Sequence, residues 1–371
     1  MNGWWYGTYA GTNSGQMVVE LDDMGDHFAG CAYAYDNNNA LPRTFAVIET
    51  PNKANRLQFK APLLPLHPDT GEPTDWQQIA GRYTDVTVPK EAEVNCVWTK
   101  AKLTLSWRTD IGTNGTAQLR RSQVEQPSVC QPLPVSTWEE FKEHVTHLQH
   151  YRYIYRGQMN ILRLRTPFHR TGRGDMRRFN REDIATLHAH LSARTSHFYD
   201  LRDSIQNAAF FHLIQHHGYP TPLLDWTYSP FVAAYSAYHR VKSSYAAQTR
   251  DDQKVRIFVF DKVQWCADFD QIRNLAARWP HFSILEPAAI ENERMVPQQA
   301  LSTFTTVDDI ETYIHVREKE RGKCYLQVID LPLRERDHVI RELRLMGITQ
   351  GSLFPGLDGA CEELRERFFG F

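Results

Sequence analysis

The chain of 371 residues is written in two grammars, and the switch between them falls near residue 126. Up to about residue 125, apolar residues come in short aromatic or β-branched runs: "MVVELDD", "FAGCAYAYD", "TFAVIET", "RLQFKAPLLPL", "VNCVWTK" and "AKLTLSW". Turn clusters such as "GTNSG", "DMGD" and "DNNN" separate them, and a 3.6-residue period is almost absent. Runs of this kind are strands, and several in succession predict an all-β barrel or sandwich. The ends of this half echo each other. Residues 9–21 ("YAGTNSGQMVVEL") and 110–121 ("DIGTNGTAQLRR") share Gly-Thr-Asn followed by an alternating run. First and last strands pair when a barrel closes, so similar turns at both ends fit closure.

Residues 126–136 ("QPSVCQPLPVS") lack periodicity, hold three prolines and read as a linker. From residue 137 the period becomes helical. "TWEE" is a capping box with Thr137 as N-cap, and Trp138, Phe141, Val145 and Leu148 follow on one face. The strand "YIYRGQ", an arginine-rich loop, a helical region over about 181–217, a helix from Pro230 and the strand "VRIFVFD" come next. The expected organisation is a β-barrel-like recognition or sensor domain at 1–125, a linker at 126–136, and an α+β domain at 137–371.

Composition narrows the function classes. The chain is 42% hydrophobic and 23% charged, with a formal net charge of −2 and a pI near 6.8. No whole-chain attraction to nucleic acid or membrane follows. There is no signal peptide pattern and no run approaching 18 apolar residues. Cys31, Cys96, Cys130, Cys266, Cys324 and Cys361 are scattered without metal-ligand spacing. The expectation is a cytoplasmic protein with reduced thiols, no metal and no membrane partner.

Three separated stretches carry the candidate chemistry. In "YIYRGQ", a buried strand ends on Arg156 beside Gly157. In "QHHGYPTPLLDWTYSPFVAAYSAY" (215–238), a helix stops at Gly218, an extended piece ends on Asp225, Trp226 and Thr227, and Ser229-Pro230 opens the next helix. In "AIENERMVPQQALSTFTTV" (289–307), Glu291 and Glu293 point the same way if the chain is extended.

Together with "GITQGSLFPGLDG" (347–359), these stretches resemble the FRG domain, over roughly residues 137–371. Pro222 and Ala300 depart from the family pattern, where an arginine and a glycine are usual. The FRG pattern in turn is similar, at the level of fold, to the ADP-ribosyltransferases, which implies a mixed sheet with flanking helices. Arg156, then Thr227 before a helix, then Glu293 match the order of those enzymes' functional residues. The resemblance implies NAD+ as substrate, cleaved at the nicotinamide–ribose bond with transfer of ADP-ribose to a macromolecular target, as in a toxin or phage-defence effector. Glu293, with Glu291 as competitor, is the implied catalytic carboxylate, and Thr227 braces it or the ribose. Arg156 suits the diphosphate because a guanidinium forks onto two oxygens, and Gly157 lets a ligand approach the backbone. Tyr155, Trp226 or Tyr228 are candidates to stack on nicotinamide. Gln158, His216, His217, Asp225 and Arg170 complete the set expected near NAD+. The N-terminal domain is expected to recognise the target.

Other readings stay open at this point. Arg156 could pair with Asp225. The arginine-rich residues 165–178 could be a solvated loop or a phosphate clamp of a non-catalytic binding module for nucleotide, nucleic acid or protein. A nuclease could use His216, Asp225 and Glu291 or Glu293.

Overall fold

A computed structural model describes residues 1–250, 253–272 and 279–369. The first grammar folds into eight strands: β1 (Gly3–Gly11), β2 (Ser14–Asp23), β3 (Phe28–Asp36), β4 (Thr44–Glu49), β5 (Arg56–Pro65), β6 (Glu91–Trp98), β7 (Lys102–Thr109) and β8 (Asn114–Arg121). Each pairs antiparallel with the next, and β8 returns to β1, so the sheet closes as a barrel. The echoing turns meet at that seam. The Thr12 N–H donates to the Asn114 carbonyl at 2.9 Å, and the Asn114 N–H to the Thr12 hydroxyl at 3.0 Å.

Alternation sorts the side chains. Trp5, Val19, Leu21, Leu103 and Leu119 point inward and are buried. Trp4, Val18, Tyr33 and Phe45 point outward and pack with Val307 and Tyr313 of the second domain. Of the aromatic cluster that opens the chain, Trp5 is therefore barrel core, Trp4 is interface, and Tyr6 stacks on Trp4 while 37% exposed.

The second domain holds a sheet of β9 (Tyr153–Gln158), β10 (Leu223–Thr227), β11 (Lys254–Asp261), β12 (Phe282–Leu285), β13 (Ala300–Thr305) and β14 (Leu326–Pro332), in the order β12-β13-β10-β9-β11-β14. All five strand pairings are antiparallel, in place of the mixed sheet expected. The connections deliver each neighbouring strand from the opposite end of the sheet. Helices Trp138–Thr146, Pro230–Tyr238 and Arg336–Leu345 cover one face over Val255, Ile257 and Val259. Phe258, Phe260 and Trp226 face the other core.

Several local signals hold and two are revised. Thr137 accepts from the Glu140 N–H at 3.2 Å, and Ser229 from the Val232 N–H at 3.2 Å, with Pro230 at the first helical position. The Glu140 carboxylate, however, reaches past the cap to the Ser136 N–H (2.7 Å) and hydroxyl (3.1 Å), so the box is not reciprocal. The region 181–217 is not one helix. A π-helical turn (Phe179–Ile184) and helix Ala185–Leu191 are followed by a loop. Asp203 then starts the helix Ser204–His216 by accepting from Ile205 and Gln206 N–H. A strong N-cap residue mid-pattern restarts the helix there.

The proline-rich connector is pinned rather than loose. The Leu133 N–H donates to the Val328 carbonyl at 2.8 Å, and the buried Glu311 carboxylate collects the Ser128 hydroxyl (2.7 Å), the Val129 N–H (3.2 Å) and the Leu164 N–H (2.9 Å). No helix among the described residues is long and apolar enough to cross a membrane.

Candidate functional site

The β9–β10 ladder holds a single pair, Thr227 opposite Tyr155, before the strands part. A cleft of about 980 Å³ opens beside this point. Arg156 sits at the parting. Its Nη1 donates to the Asp225 main-chain carbonyl at 2.7 Å, while its buried Nε has no partner. The link to Asp225 is thus to the backbone. The Asp225 carboxylate accepts instead from Gln215 Nε2. Burial pulls the Arg156 guanidinium down to about 10, with Asp225 opposing the shift and Arg170 adding to it.

Gly157 faces the helix Pro230–Tyr238. A Cβ there would lie 1.8 Å from the Ala233 carbonyl oxygen and 2.8 Å from the Ala237 nitrogen. The bare backbone is what lets this helix lie against the sheet.

The cleft is lined by cations. Besides Arg156, the residues Arg163, Arg165, Arg170, Arg240 and Arg294 line it, and Arg163 is paired with Asp309 at 2.8 Å. Arg165 is neutralised by Asp308, at 2.5 and 3.1 Å. Among the described residues, Arg156, Arg170, Arg240 and Arg294 make no ion pair, whereas Asp225 and Glu125 are the only carboxylates lining the cleft. Burial lowers Arg170 and Arg294, against the weaker opposing pull of Asp225 and Asp358 respectively, as expected of cations held partly out of water without a direct ion pair. Arg294 also lies over the Phe354 ring, 5.0 Å from its centroid. His212, His216 and His239 line the same wall, and burial lowers all three, His216 to about 4. Burial thus disfavours the charged form of each.

The other sequence candidates fall as follows. Gln158 lines the cleft and donates to the Leu162 carbonyl at 2.9 Å. Thr227 also lines it, but its hydroxyl is engaged, donating to the Gln298 carbonyl at 2.7 Å and accepting from the Ser229 N–H at 3.0 Å. Tyr155 and Trp226 border the cleft with rings packed in the two cores, and Trp226 Nε1 donates to Thr303. Tyr228 turns to Lys262 and Glu286. Tyr155 and Trp226 are thus buried, and Tyr228 lies outside the cleft lining. His217 is exposed at the helix end and outside the cleft lining.

Glu291 and Glu293 lie outside the cleft lining, and both are exposed. Their segment is a run of turns rather than an extended chain, with Glu291 left-handed at φ 51°. The Glu291 carboxylate caps the Ser196 and His197 N–H groups, at 2.7 and 3.2 Å. The turn instead presents Arg294 to the cleft and buries Asn292 against His212, at 2.8 Å. At its end Gln299 takes the left-handed position (φ 47°), which leaves residue 300 extended and able to carry an alanine.

Residues 151–246 match the family model of the FRG domain. The chain carries an FRG domain. No curated protein matches the chain. Solved structures that match include a redesigned β-barrel (8% identical, TM-score 0.24, covering 33% of this chain and 91% of that one). Another is a redesigned β-barrel bound to DFHBI (13% identical, TM-score 0.23, covering 32% and 94%). The FRG match supplies Arg156, Gln158, Arg170, His216, Asp225 and Arg240 to the cleft. Arg294 and Phe354 come from beyond it, in the "ENERMVP" and "GITQGSLFPG" stretches. Arg294 lies beside the two glutamates that the sequence singles out, and Phe354 carries no signal of its own beyond the motif that contains it.

The arginine-rich residues 165–178 of the FRG domain have two faces. Arg165 and Arg170 look into the cleft. Arg173 donates to Asp22 on β2 at 3.0 Å, the Gly174 N–H to the same carboxylate at 2.9 Å, and Arg177 lies over Phe45 at 5.3 Å. Between them His169 is fully buried against the Thr166 hydroxyl at 2.6 Å, and burial pushes it from 6.5 down to about 4. The unfolded chain takes this proton near pH 6.5 and the folded protein only near pH 4. Stability is therefore whole above pH 6.5 and declines as the pH falls toward 4, by roughly 3 kcal/mol from His169. Urea unfolding at pH 7.5 and pH 4.5 measures this. His169→Phe should show a shallower acid loss than the parent, and an equal loss in both would remove His169 as its source.

Proposed function

We propose that the FRG-domain cleft binds a phosphate-bearing nucleotide, with NAD+ the ligand of choice. The observation that carries the reading is Arg156, held at the strand fork with an unpartnered buried Nε among three further arginines that lack carboxylate partners. Unpaired guanidinium groups in a partly dry cleft favour an anion that can accept several hydrogen bonds. A diphosphate does so, and a cleft of about 980 Å³ has room for a dinucleotide. Titration calorimetry with NAD+ and ADP-ribose tests it. Arg156→Ala should weaken binding roughly ten- to a hundredfold, since a charge-assisted hydrogen bond is worth about 1.5–3 kcal/mol. Absence of binding to the parent protein, or unchanged affinity in the variant, defeats the reading.

Cleavage of NAD+ with transfer of ADP-ribose is the second reading, and the ADP-ribosyltransferase-like view of the fold belongs to it. Its support is Asp225, an exposed residue lining the cleft, whose main-chain carbonyl holds Arg156 and whose carboxylate accepts from Gln215 Nε2. A carboxylate there can stabilise the oxocarbenium-like state that forms as nicotinamide leaves. Nicotinamide release lost in Asp225→Asn with NAD+ binding kept supports this. Release lost only in Glu293→Gln returns the role to Glu293, and no release from the parent leaves a binding module.

A further inference from the structure

The barrel holds a cavity of its own. Its volume is about 180 Å³, and it opens between the β1–β2, β3–β4, β5–β6 and β7–β8 connections at one end. The void exists because alanines occupy several inward positions of four neighbouring strands, Ala32 and Ala34 on β3, Ala46 on β4, Ala61 on β5 and Ala92 on β6, between larger inward residues such as Ile48, Phe59 and Val94. At the other end larger residues such as Trp5, Leu103 and Leu119 fill the barrel, so the space is confined to the open half. Evenly filled barrels of this strand number have no such room. Small apolar residues concentrated on one side leave a hole of the size that takes an aromatic ring, since an apolar cavity of about 150 Å³ binds benzene.

The lining also has a polarity. Phe59 and Trp107 present rings, and Trp107 meets Tyr9 edge-on at 5.8 Å. Among the described residues, Asp36 is the only charged side chain in the lining. It is half-buried at the rim, accepts from the Tyr9 hydroxyl at 3.0 Å and the Asn38 N–H at 2.8 Å, and among the described residues makes no ion pair. An apolar chamber with one carboxylate at its mouth favours a ligand that is apolar at one end and positively charged at the other.

We propose that the barrel cavity binds a small aromatic amine, its ring among the alanines against Phe59 and Trp107 and its ammonium group at Asp36. The site is separate from the cationic FRG-domain cleft, and the two have opposite charge preferences. The probes are phenethylamine, its neutral counterpart 2-phenylethanol and its acid counterpart 3-phenylpropionate, titrated calorimetrically into the full chain. Phenethylamine should bind about tenfold more tightly than the alcohol, and the acid should not bind in the barrel. Asp36→Asn should bring the amine down to the level of the alcohol while leaving the alcohol unchanged. Ala46→Leu, which fills the chamber, should weaken amine and alcohol alike by tenfold or more, and thermal unfolding of both variants reports whether the barrel stays folded. If Ala46→Leu does not fold, the Asp36→Asn comparison decides alone. The proposal is overturned if neither amine nor alcohol binds the folded parent, if Asp36→Asn leaves the amine preference intact, or if a folded Ala46→Leu binds as the parent does.

Discussion

Gly157→Ala lowers the unfolding temperature of the C-terminal domain by roughly 6–12 °C, the equivalent of about 3 kcal/mol in a domain of this size. The argument is steric. A methyl group at this position meets main-chain atoms of the helix Pro230–Tyr238, 1.8 Å from the Ala233 carbonyl oxygen. Main chain cannot swing aside as a flexible side chain does, so the whole helix must lift from β9. That helix carries Val232, Tyr235 and Tyr238 of the main core, and its start follows directly on β10. Lifting it therefore loosens packing and widens the cleft together. Differential scanning calorimetry reads the shift. Gly81→Ala is the control, because nothing lies within 4 Å of a Cβ there. Equal unfolding temperatures for Gly157→Ala and the parent would show that the close approach is not a constraint.

Asp309→Ala is expected to cost about 3–5 kcal/mol from the broken ion pair, with roughly 1 kcal/mol more from a lost helix cap. Arg163 and Asp309 pair at 2.8 Å, with side chains only 4% and 8% exposed. The same arginine donates to the Pro127 carbonyl at 3.0 Å and the Thr312 hydroxyl at 3.1 Å. Asp309 also accepts the Thr312 N–H at the start of helix Ile310–Arg321. Removing the carboxylate strands a buried guanidinium and frees the connector that it holds. Asp309→Asn keeps a capping oxygen and should fall between. Arg163→Met combined with Asp309→Leu should recover much of the loss, since the penalty belongs to the unpaired charge. Urea denaturation measures all three, and a loss under about 1 kcal/mol in Asp309→Ala would place the stabilisation elsewhere.

What the sequence made legible was local. Strand alternation exposed the barrel, and the two Gly-Thr-Asn turns marked the strands that close it, because closure brings chain ends side by side. The β9 stretch, the Ser229-Pro230 start and the halt at Gly218 follow from backbone preferences that act within a few residues. The site was half legible. Arg156, Asp225, Gln158, His216 and Arg170 were chosen on residue type next to strand ends, and they do line one cleft. Glu291 and Glu293 were placed by assuming an extended chain. A left-handed residue in that segment rotates the register, so the arginine between "NE" and "MVP" faces the cleft instead. Partners far apart in the chain left no trace in the sequence. Arg163 with Asp309 and Arg165 with Asp308 are separated by more than a hundred residues, and nothing local to either member announces the other.

The two-faced segment at 165–178 bears on how such a protein can be rearranged. The connector at 126–136 resembles a natural place to cut, but a cut there does not give two complete parts. The segment belongs in sequence to the FRG domain and in packing to both. Asp22 of the barrel, its side chain 3% exposed, takes its partners from this segment, the Arg173 guanidinium and the Gly174 and Asp175 N–H groups, and shares Arg173 with Asp183. A barrel expressed alone carries an exposed acidic notch, and an FRG domain expressed alone carries a loop without its anchor. Exchanging the barrel for another domain therefore requires more than joining chain ends. The replacement must bring its own carboxylate to Gly174, or one wall of the cleft goes with the domain that was removed.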